Sequence, residues 1–144
     1  GRHHIDLLRR IYNYFFIIFT RPIEYRNLSG ASWVVIGAAL TTIIFNENTA
    51  IIGLLVLSLA DSAAAIIGLK FGDTHLFNKT LEGSAAFFIV AFLIVFYLSP
   101  AFFLINLIAV SAATAVELFS TARMNDNLFI PLVTAFILTL GGVA

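Results

Sequence analysis

Ala50–Leu69 reads AIIGLLVLSLADSAAAIIGL, twenty residues with one ionisable side chain, Asp61. A helix needs about 20 mostly apolar residues to cross the ~30 Å hydrocarbon layer of a bilayer, and this block has that length. Four further apolar blocks flank it, at Ser29–Phe45, Ser84–Leu98, Ala101–Phe119 and Leu128–Ala144. None shows the strict alternation of a membrane β-strand, so all read as helices. The expected fold is all-α: a polytopic membrane helix bundle of about five spanning helices, forming one integral membrane domain over residues 1–144. Ahead of it, Ile5–Phe19 mixes Asp6, Arg9 and Arg10 with Leu7, Leu8, Ile11, Phe15 and Phe16. That pattern predicts an N-terminal amphipathic helix at the interface, or the end of a partial span.

Composition agrees. Of the 144 residues 60% are apolar and 11% charged, with mean hydropathy +1.00, whereas a soluble domain carries roughly a quarter charged residues. The net charge of zero gives no electrostatic footprint for nucleic acid. With no cysteine there are no disulfides, thiolate metal sites or thiol catalysis. His3, His4 and His75 supply no helical His-x-x-x-His pair, which argues against zinc. No small-residue cleavage site follows the basic and apolar stretch Arg2–Phe19, so it reads as mature sequence.

The cations orient the bundle. Arg2, Arg9, Arg10, Arg21 and Arg26 precede the first block, Lys70 and Lys79 flank the second connection, and Arg123 lies in the fourth. The connections Asn46–Thr49 and Ser99–Pro100 hold neither Lys nor Arg. By the positive-inside rule Arg2–Leu28, Lys70–Gly83 and Ser120–Asn127 face the cytoplasm. The expected location is a bacterial inner membrane, with any site built from these segments opening inward.

Asp61 carries the most chemical information. An acid at the centre of a span costs ~2.5–3.5 kcal/mol on insertion scales and is functional by default. Asp61, Ala64, Ala65, Gly68 and Gly72 share one helical face, where small side chains let an ion, a phosphate or another helix approach. Glu117 shares a face with Asn106, Ala113 and Thr114, which suits either metal ligation or a helix–helix hydrogen bond. Asp126 and Asn127 suit ligation or helix capping, with Pro131 in the first turn or kinking the helix just above it. Lys79 suits a phosphate or ordinary anchoring at the inner face. No glycine precedes Lys79 and no strand precedes its loop, so Lys79-Thr80 is not a Walker motif. Hard oxygen donors of this kind suit Mg²⁺, and Mg²⁺ with a cation is recurring equipment for phosphoryl transfer.

The order Asp61-Ser-Ala-Ala…Gly68…Phe71-Gly72…Lys79-Thr80…Glu82-Gly83-Ser84 resembles the membrane family of dolichol, phytol and CTP-dependent diacylglycerol kinases. The same half is similar to the phosphatidate cytidylyltransferases. Val116-Glu117…Asn125-Asp126-Asn127-Leu128…Ile130-Pro131-Leu132 looks like the kinase branch, and the basic and His-Gly-Gly signature that closes the cytidylyltransferases is absent. Arg21-Pro22…Glu24…Arg26 is also similar to bacterial kinase-like members. The resemblance covers roughly Arg21–Leu138. Asn125 stands where the family has the first acid of Asp-Asp-Asn, which puts two-metal binding there in question. Members also usually carry another span before the equivalent of Ile5.

The resemblance implies a membrane-embedded kinase moving the γ-phosphoryl of CTP onto a lipid or polyprenol-type alcohol, with membrane lipids around it. Asp61 would hold Mg²⁺ with Glu82, Asp126 or Asn127. Lys79 and Thr80 would meet phosphate, Gly68, Gly72 and Gly83 would keep backbone close to the nucleotide, and Glu117 would orient the alcohol or complete the metal shell. The competing expectations are cytidylyl transfer to phosphatidate, an ion-coupled transporter component, and a homologue without activity.

Overall fold

The computed structural model describes residues 30–76, 79–120 and 125–143; the expected amphipathic helix Ile5–Phe19 lies outside them. Helix α1 covers Gly30–Ile44. Asn46 then caps the next helix, its Oδ1 accepting from the Thr49 N–H at 3.0 Å and from the Thr49 hydroxyl at 2.9 Å. Helix α2 therefore begins at Glu47, ahead of the apolar block, and runs to Phe71. It contains one π turn, Val56–Ala60, immediately before Asp61.

A two-stranded antiparallel ladder follows. Strand β1 (His75–Leu76) pairs with β2 (Lys79–Thr80), His75 opposite Thr80 and Leu76 opposite Lys79. Thr80 caps α3 (Leu81–Leu98), its hydroxyl accepting from the Gly83 N–H at 3.2 Å, so α3 starts ahead of the expected Ser84. Helix α4 is Phe103–Phe119 and α5 is Asp126–Leu140, with Pro131 inside α5 beyond its first turn. A turn ends α5, with Gly142 at φ +80°, a backbone region that suits glycine.

The described residues thus hold five helices and one small hairpin. At 1.5 Å per residue, α2 is about 37 Å long and α3 about 27 Å, and both are long and apolar enough to cross a bilayer. The other three are apolar but shorter, at 15, 17 and 15 residues. The outer surface is apolar too: Leu69 is 91% exposed, Tyr97 84% and Ile43 79%.

Two sets of contacts fix the ends of the bundle. At one end Thr49 Oγ1 lies 3.1 Å from Thr139 Oγ1, and Asn46 Nδ2 donates to the Val143 carbonyl at 3.3 Å. At the other, the hairpin meets the end of α4 and the start of α5 through Lys79. Between them Val56, Ala60, Phe87, Ala91, Val110 and Ile130 form a fully packed apolar core. The helices meet closely through small residues, as membrane helices do when van der Waals packing drives association. At Gly53, an added Cβ would sit 2.6 Å from the Pro131 carbonyl oxygen of α5.

This contact sets a test. In a free helix Gly→Ala gains ~1 kcal/mol, but at Gly53 the new methyl meets backbone that cannot step aside. Gly53→Ala is expected to destabilise the bundle by about 1–3 kcal/mol, the usual scale of overpacking, read as a lowered melting temperature in detergent. Gly30→Ala, whose nearest neighbour is Asn127 Nδ2 at 3.8 Å, should show no such loss.

Candidate functional site

At the hairpin end of the bundle lies a cavity of about 500 Å³. From α2 it is lined by Asp61, Ala64, Ala65, Gly68 and Leu69, and from the hairpin and α3 by His75, Lys79, Thr80 and Gly83. Glu117 of α4 and Asp126 and Asn127 of α5 complete the wall. Residues from far-separated segments thus reach one space.

Lys79 is its centre. The Nζ lies 3.2 Å from Glu117 Oε1 and 2.9 Å from Asp126 Oδ2. Glu117 is 1% exposed, and its other oxygen accepts from the Ser84 hydroxyl at 2.7 Å. Asp126 is held on its remaining sides by the Ser120 hydroxyl at 3.3 Å and the Asn127 N–H at 3.0 Å. Burial pulls the Lys79 ammonium toward its neutral form, but the hydrogen bonds and charges of Asp126 and Glu117 outweigh it, so its pKa lies above the ordinary lysine value.

Asp61 differs from both of these acids. Among the described residues no hydrogen bond engages its carboxylate, and the same holds for the Asn127 side-chain amide. Among the described residues, three carboxylates against one ammonium give the lining a formal charge of minus two, a balance that attracts cations and repels a bare anion.

Not every expected residue joins this group. Glu82 is half-buried, and its oxygens accept from the Thr74 N–H at 3.2 and 3.3 Å; it is not among the described cavity-lining residues. Gly72 caps the C-terminus of α2 and packs against Thr80, behind the described lining rather than in it. Gly68 and Gly83 do line the cavity, and they also serve packing: a Cβ on Gly83 would come 2.9 Å from the Ala64 carbonyl oxygen and 3.4 Å from Gly68 Cα. Asp126 is the first residue of α5 rather than its cap, which falls on Asn125. Sequence reasoning passed over Ser84 and Ser120, which fix the two acids. Ser120 lies one helical turn beyond Glu117 and six residues before Asp126, a local signal; Ser84 lies 33 residues from Glu117 and carries none.

Among the described residues, no three His, Cys, Asp or Glu side chains are grouped as a protein-only metal site. That is compatible with Mg²⁺, which usually keeps several waters and binds through one or two carboxylates plus substrate phosphates. The unengaged Asp61 carboxylate, the Asn127 amide and Asp126 line one cavity with oxygens of the type such a site would use.

Removing Lys79 tests the electrostatic argument. Breaking a fully buried pair costs ~3–5 kcal/mol because a charge is left unpaired. The Lys79 side chain is 28% exposed, so Lys79→Met is expected to cost less, about 2–3 kcal/mol. Adding Glu117→Gln should restore part of the loss, since the stranded charge is gone. Because the Lys79 pKa is raised, its stabilisation is complete below 10.5 and lost only as pH rises beyond that value. The stability gap between wild type and Lys79→Met, from melting curves, should therefore stay constant from about pH 7 to 9.

The chain is 37% identical over 140 residues to the uncharacterized protein RP860 of Rickettsia prowazekii, covering 91% of this chain and 69% of the relative. It is 34% identical over 119 residues to the uncharacterized protein MJ1137 of Methanocaldococcus jannaschii, covering 80% and 60%. It is 30% identical over 118 residues to CTP-dependent diacylglycerol kinase 1 of Saccharomyces cerevisiae, covering 71% of this chain but 40% of the yeast protein. No family model and no solved structure matches. By the extent and identity of the first match, the chain belongs to the family of the Rickettsia protein RP860.

Proposed function

We propose that this member of the RP860 family is a membrane-embedded kinase that transfers the γ-phosphoryl of CTP to a lipid alcohol. The carrying observation is the convergence of Asp61, Lys79, Glu117 and Asp126 on one cavity at the end of an apolar helix bundle. The similarity to a yeast CTP-dependent diacylglycerol kinase supplies the donor and the acceptor class. All five helices are read as spans. The alternation of cations along the sequence turns the cavity toward the cytoplasm, at the inner membrane of a bacterium.

In this reading Asp61, Asp126 and Asn127 would hold Mg²⁺, which when bound would neutralise phosphate charge. Lys79 and Thr80 meet the phosphates, with Gly68 and Gly83 giving them room. Glu117 is a positioning residue: buried and bonded to Ser84, it holds the Lys79 ammonium in place. The alcohol oxygen forms a bond to the γ-phosphorus, and the bond from that phosphorus to the bridging oxygen breaks. CDP leaves with that electron pair, and the hydroxyl proton passes to a carboxylate of the cavity. Transfer of this type is mostly positioning and charge stabilisation, which a fixed cluster can supply.

Purified protein given γ-labelled CTP, Mg²⁺ and a panel of lipid alcohols should yield a labelled lipid. Asp61→Asn should lower kcat by about 10²-fold or more, and chelation of divalent cations should abolish transfer. A CDP-linked lipid formed from phosphatidate would identify a cytidylyltransferase instead. Absence of labelled product with every alcohol would sink the kinase reading.

A further inference from the structure

A second void of about 610 Å³ adjoins the polar cavity, and the two share Asp61 and Asn127. Its walls are Val34 of α1 and one face of α2: Ile51, Leu54, Leu55, Leu57, Ser58 and Ser62. From Ile51 to Asp61 this face extends about 15 Å along the helix. Among the described residues the wall offers no free donor: the Ser58 hydroxyl donates to the Leu55 carbonyl at 3.2 Å and that of Ser62 to the Ser58 carbonyl at 2.6 Å. Over its described lining the groove is thus apolar along its length and polar where Asp61 and Asn127 open it into the charged cavity. The π turn Val56–Ala60 sits at mid-groove and turns the helix face ahead of Asp61; such turns recur at functional sites.

From this continuity we infer that the groove between α1 and α2 holds the hydrocarbon chain of a hydroxyl-bearing lipid, with its hydroxyl at the Asp61–Asn127 junction. The inference rests on the kinase reading for its acceptor and adds where that acceptor lies. A chain lying along α2 needs an apolar wall without competing donors. A hydroxyl needs an acceptor that no protein donor already engages, and Asp61 has two such oxygens, one for the hydroxyl and one for the metal of the kinase reading. The same placement brings the hydroxyl to the edge of the cavity that holds Lys79, through the opening the two spaces share.

The test reads position independently of turnover. A photoreactive diazirine analogue of hexadecanol, incorporated with the protein into phosphatidylcholine vesicles, should label Val34, Leu54, Leu55 or Ser58. The matching diazirine hexadecane, which lacks the hydroxyl, should label the whole apolar exterior without concentrating there. Ser58→Trp, which fills the groove, should cut the alcohol's groove labelling at least tenfold and raise the KM for a long-chain alcohol to a similar degree. It should leave Mg²⁺·CTP binding unchanged. Leu104→Trp, on an exposed outer face, should change neither. Alcohol and hydrocarbon labelling the same sites would overturn the inference, as would cross-links showing residues 1–29 of the chain filling the groove. Groove labelling without any CTP-dependent phosphorylation would keep the lipid site and remove the kinase reading.

Discussion

A carboxylate buried in an apolar bundle must be paired, and Glu117 sets that demand for the whole hairpin end of this molecule. At 1% exposure it is cut off from water, and an unpaired charge there would cost several kcal/mol. Two partners answer it, the Ser84 hydroxyl from α3 and the Lys79 ammonium from the hairpin. To deliver Lys79, the segment after α2 must fold back over the bundle, which the β1–β2 ladder and the Thr80 cap accomplish. The same ammonium then fixes Asp126 and with it the start of α5. Packed apolar side chains in place of the whole Lys79–Glu117 pair would make a core about as stable or more so, so stability alone does not account for this arrangement.

Elsewhere in the bundle polar groups are consumed locally. Thr41 donates to the Gly37 carbonyl, Thr134 to that of Ile130, and Ser99 to that of Val95. Asn106 and Ser99 satisfy each other at the opposite end, at 2.9 and 2.6 Å. Among the described residues no buried side-chain polar atom lacks a partner. In surroundings without water this is close to obligatory. Against that background the unengaged carboxylate of Asp61 and amide of Asn127 stand out, and both lie where the two voids meet.

The helices were legible because apolar blocks of near-spanning length admit little else. Their starts were not, because Asn46 and Thr80 place the caps outside the apolar runs, and a cap depends on backbone geometry that hydropathy does not record. The π turn was invisible, since Val56–Ala60 has the same composition as the helix on either side. Asp61, Lys79, Glu117, Asp126 and Asn127 were all nameable from residue type and position. What the sequence could not rank was Glu117, equally suited to a passive hydrogen bond. Its weight comes from burial and from Ser84 on another helix, and both follow from tertiary packing.

On the proposed reading, a phosphate that reaches Lys79 has to displace one of its two carboxylates, and burial decides which. The Glu117 side chain is 2% exposed and that of Asp126 is 20% exposed. Releasing Glu117 would strand a charge with one hydroxyl to hold it. Releasing Asp126 leaves a carboxylate that still accepts from Ser120 and from the Asn127 N–H, and that has some access to water. Lys79 therefore keeps Glu117 and exchanges Asp126. That exchange would free Asp126 beside Asp61 and Asn127, so the pair broken for the anion would offer an oxygen to its cation. The described lining, with its formal charge of minus two, would then favour the nucleotide with its metal over the nucleotide alone.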